Sequence, residues 1–352
     1  MIEINPTKIK YPTVFKNDID QIIYSGEFVD GQFTETCEKQ IDNIIRESDL
    51  DCKTVLVNNG MGALELALMS YGIGFGDKVA TTPYTFKATY QAIRRVGATP
   101  LFIDINDDLT MNYGQLMMAI DNDVAAIIPV DIFGIPNNIQ ILRDLIGMWP
   151  PYIIEDAAQA FGAEINGRRV GNQADTTIFS FYPTKMCGVG NVGATVSQTR
   201  QNAKDIRNLA HYGLKGEAVG GNYRASEWDA AALSTNMFDL QIAMDRRREI
   251  ARAYKYNLND SYTKIVDAIP DNVNPSWHHF PIWEHQDELF ERDDFSFEIR
   301  QYYHDNFDTI DPEVNYCFNF TRMVNNIYVI PVHEDLTDVE VETIITELNE
   351  AL

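Results

Sequence analysis

The chain has 352 residues, with 28 Lys+Arg against 52 Asp+Glu for a formal net charge of −24, and 45% of it is hydrophobic. This composition excludes a disordered chain, and the length allows one large core with a second lobe. Nucleic acid and anionic membrane surfaces are bound chiefly through Lys and Arg, so the acidic balance argues against both; a small anion needs only a few N–H groups and stays allowed.

The opening MIEINPTKIKYP carries no apolar core of a signal peptide, and no apolar run approaches the ~18 residues of a membrane helix. Cys37, Cys52, Cys187 and Cys317 are scattered without a CxxC, which predicts a cytoplasmic chain with reduced thiols and no metal site. KTVLV at 53–57 reads as a strand running into Asn58-Asn59-Gly60-Met61-Gly62 and a helix over 63–71. A short strand (78–81), a helix (84–96), a strand (99–105), an apolar strand (125–130), a helix (138–148) and another apolar strand (152–155) follow. Strands apolar on both faces and alternating with helices imply an α/β domain whose sheet is mainly parallel and covered on both sides. Two further strands, 176–181 and 194–197, close it. A helix over 201–209, a Gly-rich loop (212–223), one long helix (226–256), a strand-like 327–331 and a last helix (338–352), capped by Asp335 or Thr337, complete the chain. The expected division is a large domain with an N-terminal arm, 1–235, and a small C-terminal domain, 236–352, the boundary falling inside the long helix.

Four segments can carry chemistry. In Asn59–Ala63, glycines at a strand-to-helix turn either relieve crowding or aim backbone N–H groups at a phosphate. Asp156, closing an apolar strand, either caps the next segment or faces the crevice where α/β folds bind ligands, and there it would pair with a ring nitrogen. In Ser180-Phe181-Tyr182-Pro183-Thr184-Lys185 a turn presents a lysine, either an ordinary surface residue or a nucleophile for a carbonyl. The loop 220–227 sets Asn222 and Arg224 just before a helix capped by Ser226. Taken together and in this order, the segments meet the needs of pyridoxal 5′-phosphate.

At these residues the chain resembles the DegT/DnrJ/EryC1/StrS family of pyridoxal-phosphate sugar aminotransferases, of the aspartate-aminotransferase fold (fold type I). The resemblance rests on the turn 59–63, GIGFGDKV (72–79), TPYTFKAT (82–89), VGATPLFIDI (96–105), IEDAAQAFGA (154–163), FSFYPTK (179–185), GNYRASE (221–227), RRREIARAY (246–254) and IPVHEDLTDVEVE (330–342). It implies a large domain with a mostly parallel, mixed sheet flanked by helices, and a smaller α+β C-terminal domain. It also implies that Lys185 forms the internal aldimine and moves the proton, and that Asp156 pairs with the pyridinium nitrogen. Phe86 would stack on one ring face and Gln159 would lie near the other face or the ring hydroxyl. Gly60, Met61 and Ser180 would hold the phosphate, with Asn222 reaching it from a neighbouring subunit of a homodimer. The implied reaction passes an amino group from an amino acid, expected to be glutamate, to a keto-sugar, expected to be nucleotide-linked. The alternatives are a keto-cyclitol acceptor, a dehydration, for which related enzymes carry His in place of the lysine, or a non-catalytic cofactor-binding protein.

Departures from the pattern are Met61 for a usual Thr, Met186 for Asn, Asn191 for an acidic residue and Asp131 for a frequent His. The family's usual His-Tyr-Pro segment is not found between Phe290 and Ile327, where an acid-rich stretch (Glu291, Asp293, Asp294, Glu298, Asp305, Asp308, Asp311, Glu313) stands instead. His278 and His279 read as packing residues of a strand, His333 and Cys187 as non-catalytic, and Arg246-Arg247-Arg248 as a solvated or interface face of a helix.

Overall fold

The computed structural model describes residues 1–45, 53–120, 123–147, 151–214, 219–284, 295–304 and 317–351. Its elements in chain order begin with α1 (Pro12–Ser25), α2 (Gln32–Ile45), β1 (Lys53–Val57), α3 (Gly60–Ser70), β2 (Lys78–Thr81), α4 (Ala88–Arg95) and β3 (Thr99–Phe102). Next come α5 (Tyr113–Ala119), β4 (Val124–Ile128), α6 (Ile139–Ile146), β5 (Tyr152–Asp156), β6 (Glu164–Ile165), β7 (Arg168–Arg169), β8 (Thr176–Ser180) and β9 (Gly193–Ser197). Then follow α7 (Arg200–Ala210), α8 (Glu227–Asn236), α9 (Leu240–Asn257), α10 (Asp260–Ala268), β10 (Val273–Asn274), β11 (Phe280–Trp283), β12 (Arg300–Gln301), α11 (Phe318–Met323), β13 (Ile327–Ile330) and α12 (Asp338–Glu350).

A seven-stranded sheet in the order β1-β9-β8-β5-β4-β2-β3 forms the centre. Only β9 runs against the rest, pairing antiparallel with both β1 and β8. Its strands are apolar on both faces because helices cover both: β4 and β5 bury Ala126, Ile127, Ile128, Ile153 and Ile154 completely. Helix α3 buries seven of its residues, Gly62 to Leu68, against this sheet. A three-stranded antiparallel sheet, β11-β13-β12, forms the core of the C-terminal part with α10 packed on it.

Several boundaries differ from the sequence expectation. The helix expected at 84–96 begins only at Ala88, since Tyr84 is buried and the Thr85 N–H bonds to the Pro83 carbonyl in a turn. The strand expected to reach 105 stops at Phe102, and Asp104 instead accepts the backbone N–H groups of Asn319 and Phe320, capping α11 from more than 200 residues away. The long helix 226–256 is broken by a 3-10 turn at Met237–Asp239. The N-terminal arm is pinned there: Asn236 Oδ1 accepts from the Lys10 N–H, and Tyr11 donates to Asp239. Thr337, not Asp335, caps α12, in a capping box with Glu340. Met148 and Cys52 lie outside the described residues.

The Arg246-Arg247-Arg248 run is not a solvated face. Arg247 is buried, its Nε 3.0 Å from Glu334 Oε2 and its Nη1 donating to the Trp277 carbonyl. Lys10 Nζ lies 2.8 Å from the other Glu334 oxygen. Burial raises the Glu334 pKa, but the two cations outweigh it and hold the carboxyl well below the usual range. Arg246 joins Asp338, and Arg248 lies 3.4 Å from Glu164. The arm, α9 and the segment before α12 are therefore one charged unit beneath the cavity described next. Among the described residues no helix is long and apolar enough to cross a membrane.

Candidate active site

A cavity of about 1350 Å³ opens at the C-terminal edge of the central sheet. Asp156 comes from the end of β5, Ser180 from the end of β8, and Gly60 and Met61 from the start of α3. Phe86 and Thr89 come from the β2–α4 connection and α4, and Lys185 from the turn after β8. The sheet places these residues together because parallel strands end at one edge.

The α3 end has the backbone arrangement that could hold an anion. Asn59 caps the helix, its Oδ1 accepting from the Gly62 N–H at 2.7 Å, while its carbonyl takes the Ala63 N–H. Gly60 and Met61 thus keep the two foremost N–H groups of the helix without an intrahelical acceptor, at the positive end of its dipole. A methyl group on Gly60 would sit 2.9 Å from Ser180 Cβ, so only glycine lets β8 and α3 approach this closely. Gly193 backs the same spot, 2.5 Å from the Asn59 carbonyl by the same measure.

Asp156 is buried. Its Oδ2 accepts from Thr89 Oγ1 at 2.7 Å and its Oδ1 from the Ala158 N–H at 3.2 Å. Burial pushes its pKa up, opposed by those hydrogen bonds and by the charge of Lys185. Lys185 is pushed the other way, down to about 8, by burial that outweighs attraction to Asp156. Beside Asp156 are Asp131, which also lines the cavity, and Glu155, both buried. Burial and then the Glu155 charge raise Asp131 well above the carboxylate range, and burial raises Glu155 to about 7. The pair therefore does not carry two full charges at neutral pH. That explains how an acid is tolerated at 131.

Gln159 is fixed on both sides. Its Oε1 accepts from the Phe133 N–H at 2.9 Å and its Nε2 donates to the Tyr303 hydroxyl at 3.1 Å. Phe86 is exposed at the cavity mouth. Asn222 is the one predicted site residue outside this cavity: it is exposed, with Oδ1 3.3 Å from Arg224 Nε.

Two groups were missed by sequence reasoning. His278 and His279 are buried, as packing residues would be, yet both line the cavity, and His278 Nε2 lies 3.3 Å from Lys185 Nζ. The second group is Arg300–His304, which forms a wall of the cavity within the stretch where no substrate-side segment was expected. Tyr303 packs edge-on to Tyr84 and stacks on Phe133, while Tyr302 stacks on His279. The aromatic pair Tyr302-Tyr303 just after β12 was the available signal. Most of the acid-rich stretch itself (Glu291, Asp293, Asp294, Asp305, Asp308, Asp311, Glu313) lies outside the described residues. Cys187 is buried with its thiol pushed up to about 12 by burial, which makes it a poor nucleophile. His333 bonds the Glu3 carbonyl at 3.0 Å and takes no part in the cavity.

A buried amine depressed towards neutrality, a buried carboxylate and a glycine-backed helix N-terminus fit the aldehyde, ring nitrogen and phosphate of pyridoxal 5′-phosphate respectively. A sequence profile of the DegT/DnrJ/EryC1/StrS aminotransferase family matches residues 13–349. The dTDP-3-amino-3,4,6-trideoxy-alpha-D-glucose transaminase of Streptomyces venezuelae is 33% identical over 281 residues, 77% of this chain and 72% of that protein. The UDP-N-acetyl-3-dehydro-alpha-D-glucosamine 3-aminotransferase of Acidithiobacillus ferrooxidans is 34% identical over 230 residues, 64% of this chain and 62% of that one. The crystal structure of S. venezuelae DesV in complex with a ketimine intermediate superposes with a TM-score of 0.89 at 28% identity, covering 99% of this chain and 98% of that one.

Proposed function

The chain belongs to the DegT/DnrJ/EryC1/StrS aminotransferase family, a pyridoxal-phosphate-dependent sugar transaminase by that membership, and from this premise we propose that it moves the amino group of glutamate onto a nucleotide-linked keto-sugar through Lys185. The observation that carries the reading is the buried Lys185 amine, its pKa lowered to about 8, in one cavity with the buried Asp156 carboxylate.

The cofactor, when bound, supplies an electron sink for a carbanion next to nitrogen. Lys185 is the group that holds and moves the proton, since its buried amine lines the cavity and feels the Asp156 charge. Asp156, fixed by Thr89 and the Ala158 N–H, would keep the ring nitrogen protonated. Gly60, Met61 and Ser180 would take the phosphate, and Phe86 would cover one ring face at the mouth. Gln159, held by the Phe133 N–H and the Tyr303 hydroxyl, serves as a fixed wall unless Tyr303 moves. The exposure of Asn222 outside its own cavity supports a role in a second subunit, and so a homodimer with shared sites. The division 1–235 and 236–352 is supported by the 3-10 break at Met237–Asp239.

Purified protein with cofactor should show the visible absorption band of a lysine-bound cofactor, and glutamate should bleach it. A K185A protein that keeps the band would end the assignment of Lys185. A wild-type band that no amino acid bleaches would end the transamination reading.

A further inference from the structure

His278 sits 93 positions after Lys185, two residues before β11, and points Nε2 at Lys185 Nζ across 3.3 Å. The imidazole is buried, and among the described residues its Nδ1 has no hydrogen-bond partner. That orphan nitrogen decides the tautomer. With the proton on Nδ1, a buried N–H would stand without an acceptor, the rarer and costlier defect. With the proton on Nε2, Nδ1 is a bare acceptor and the N–H faces Lys185. An ammonium has three donors and no lone pair, so this tautomer has a partner only when Lys185 is a neutral amine.

We propose that His278 is a positioning residue for Lys185: its Nε2–H donates to the Nζ lone pair, aims the amine into the cavity and selects its unprotonated form. The proposal rests on the reading of Lys185 given above, but concerns the free lysine, before any cofactor is joined to it.

The surroundings support a neutral imidazole. The groups facing the pair are Asp156 from β5, Arg247 from α9, Arg300 from β12 and the adjacent His279. Burial, then His279, Lys185 and Arg247, hold His278 well below the usual histidine range. His279 lies ring to ring with it, centroids 4.0 Å apart, and is held neutral chiefly by burial, then by Lys185, Arg247 and Arg300. No carboxylate bonds either imidazole among the described residues, so nothing pulls a proton onto Nδ1.

The test uses full-length protein freed of cofactor. Lys185 is labelled with a small amine-reactive reagent across pH 6 to 10, and its peptide is quantified by mass spectrometry. Only the free amine reacts, so the profile reports the lysine's own pKa. In H278Q the amide oxygen can rotate to accept from an ammonium, and in the shorter H278N the donor is withdrawn. Both should move the labelling midpoint to higher pH and slow labelling below it by roughly threefold to tenfold, the size of one hydrogen bond. A midpoint that stays or falls in whichever variant folds, as judged by circular dichroism, overturns the proposal. The outcome is independent of the K185A spectrum: a band retained in K185A defeats the proposed role of Lys185, whereas an unmoved midpoint defeats only the role of His278.

Discussion

Replacing Lys185 by methionine should stabilise the cofactor-free protein at neutral pH, and the gain should disappear in alkali. Burial lowers the Lys185 pKa from 10.5 to about 8. The folded chain therefore gives up this proton more readily than the unfolded chain does. Below pH 8 the lysine is charged in both states, and the full cost of burying the charge, about 3 kcal/mol, opposes folding. Between pH 8 and 10.5 the unfolded state binds more proton than the folded one, so wild-type stability rises with pH relative to the variant. Methionine fills a similar volume without charge. Asp156 loses its cationic neighbour in the variant, which trims the gain to about 2 kcal/mol at pH 7. By pH 9.5 the gap should fall below about 1 kcal/mol, because most of the lysine cost has gone. Urea unfolding of both proteins at pH 7.0, 8.5 and 9.5, with equal m-values, measures the difference. Carboxylates other than Asp156, and the other lysines, titrate alike in both proteins and cancel. A gap that does not change with pH, or a wild type more stable than K185M at pH 7, would refute the claim that Lys185 is held in the cavity at a cost in stability. Under the proposed role of Lys185 the same cost serves function, since a destabilised ammonium yields a free amine near neutral pH.

Other consequences are open to measurement. D156N should still fold and bind cofactor but turn over roughly 10- to 100-fold more slowly, the worth of one charged hydrogen bond to the ring nitrogen; single-turnover spectra would separate this from loss of binding. G60A forces a methyl to 2.9 Å from Ser180 Cβ, so it should cost about 1–3 kcal/mol of stability and weaken cofactor binding in equilibrium dialysis. Glu227, almost wholly buried, accepts the backbone N–H groups of Gly31, Phe33 and Thr34 and the Thr34 hydroxyl, tying the start of α2 to that of α8. E227Q puts an amide donor against those donors and should cost about 2–4 kcal/mol in urea unfolding; a cost under about 0.5 kcal/mol would show that the two helix ends hold without it.

The sequence alone determined the α/β class, the strand-to-helix turn at Asn59–Ala63, and the placement of Asp156 and Lys185 near strand ends. Those features are local: apolar runs, glycines and caps act within a few residues, so period and spacing reveal them. Tertiary structure decided the rest. His278 has the burial and aromatic neighbours that a packing residue has, and its sequence surroundings are the same whichever role it plays. Only the β11 end being folded against the turn after β8 brings it to Lys185. Likewise Tyr303 meets Gln159 across 144 positions and Arg247 meets Glu334 across 87. Asp104 leaves its strand early because its carboxylate caps α11. Contacts of this length follow from how sheets and lobes pack, and they leave no periodicity in the chain. The same holds for the net charge of −24. It argued against nucleic acid and anionic membranes, while the proposed phosphate site draws on backbone N–H groups at the start of α3 that no count of charged residues records.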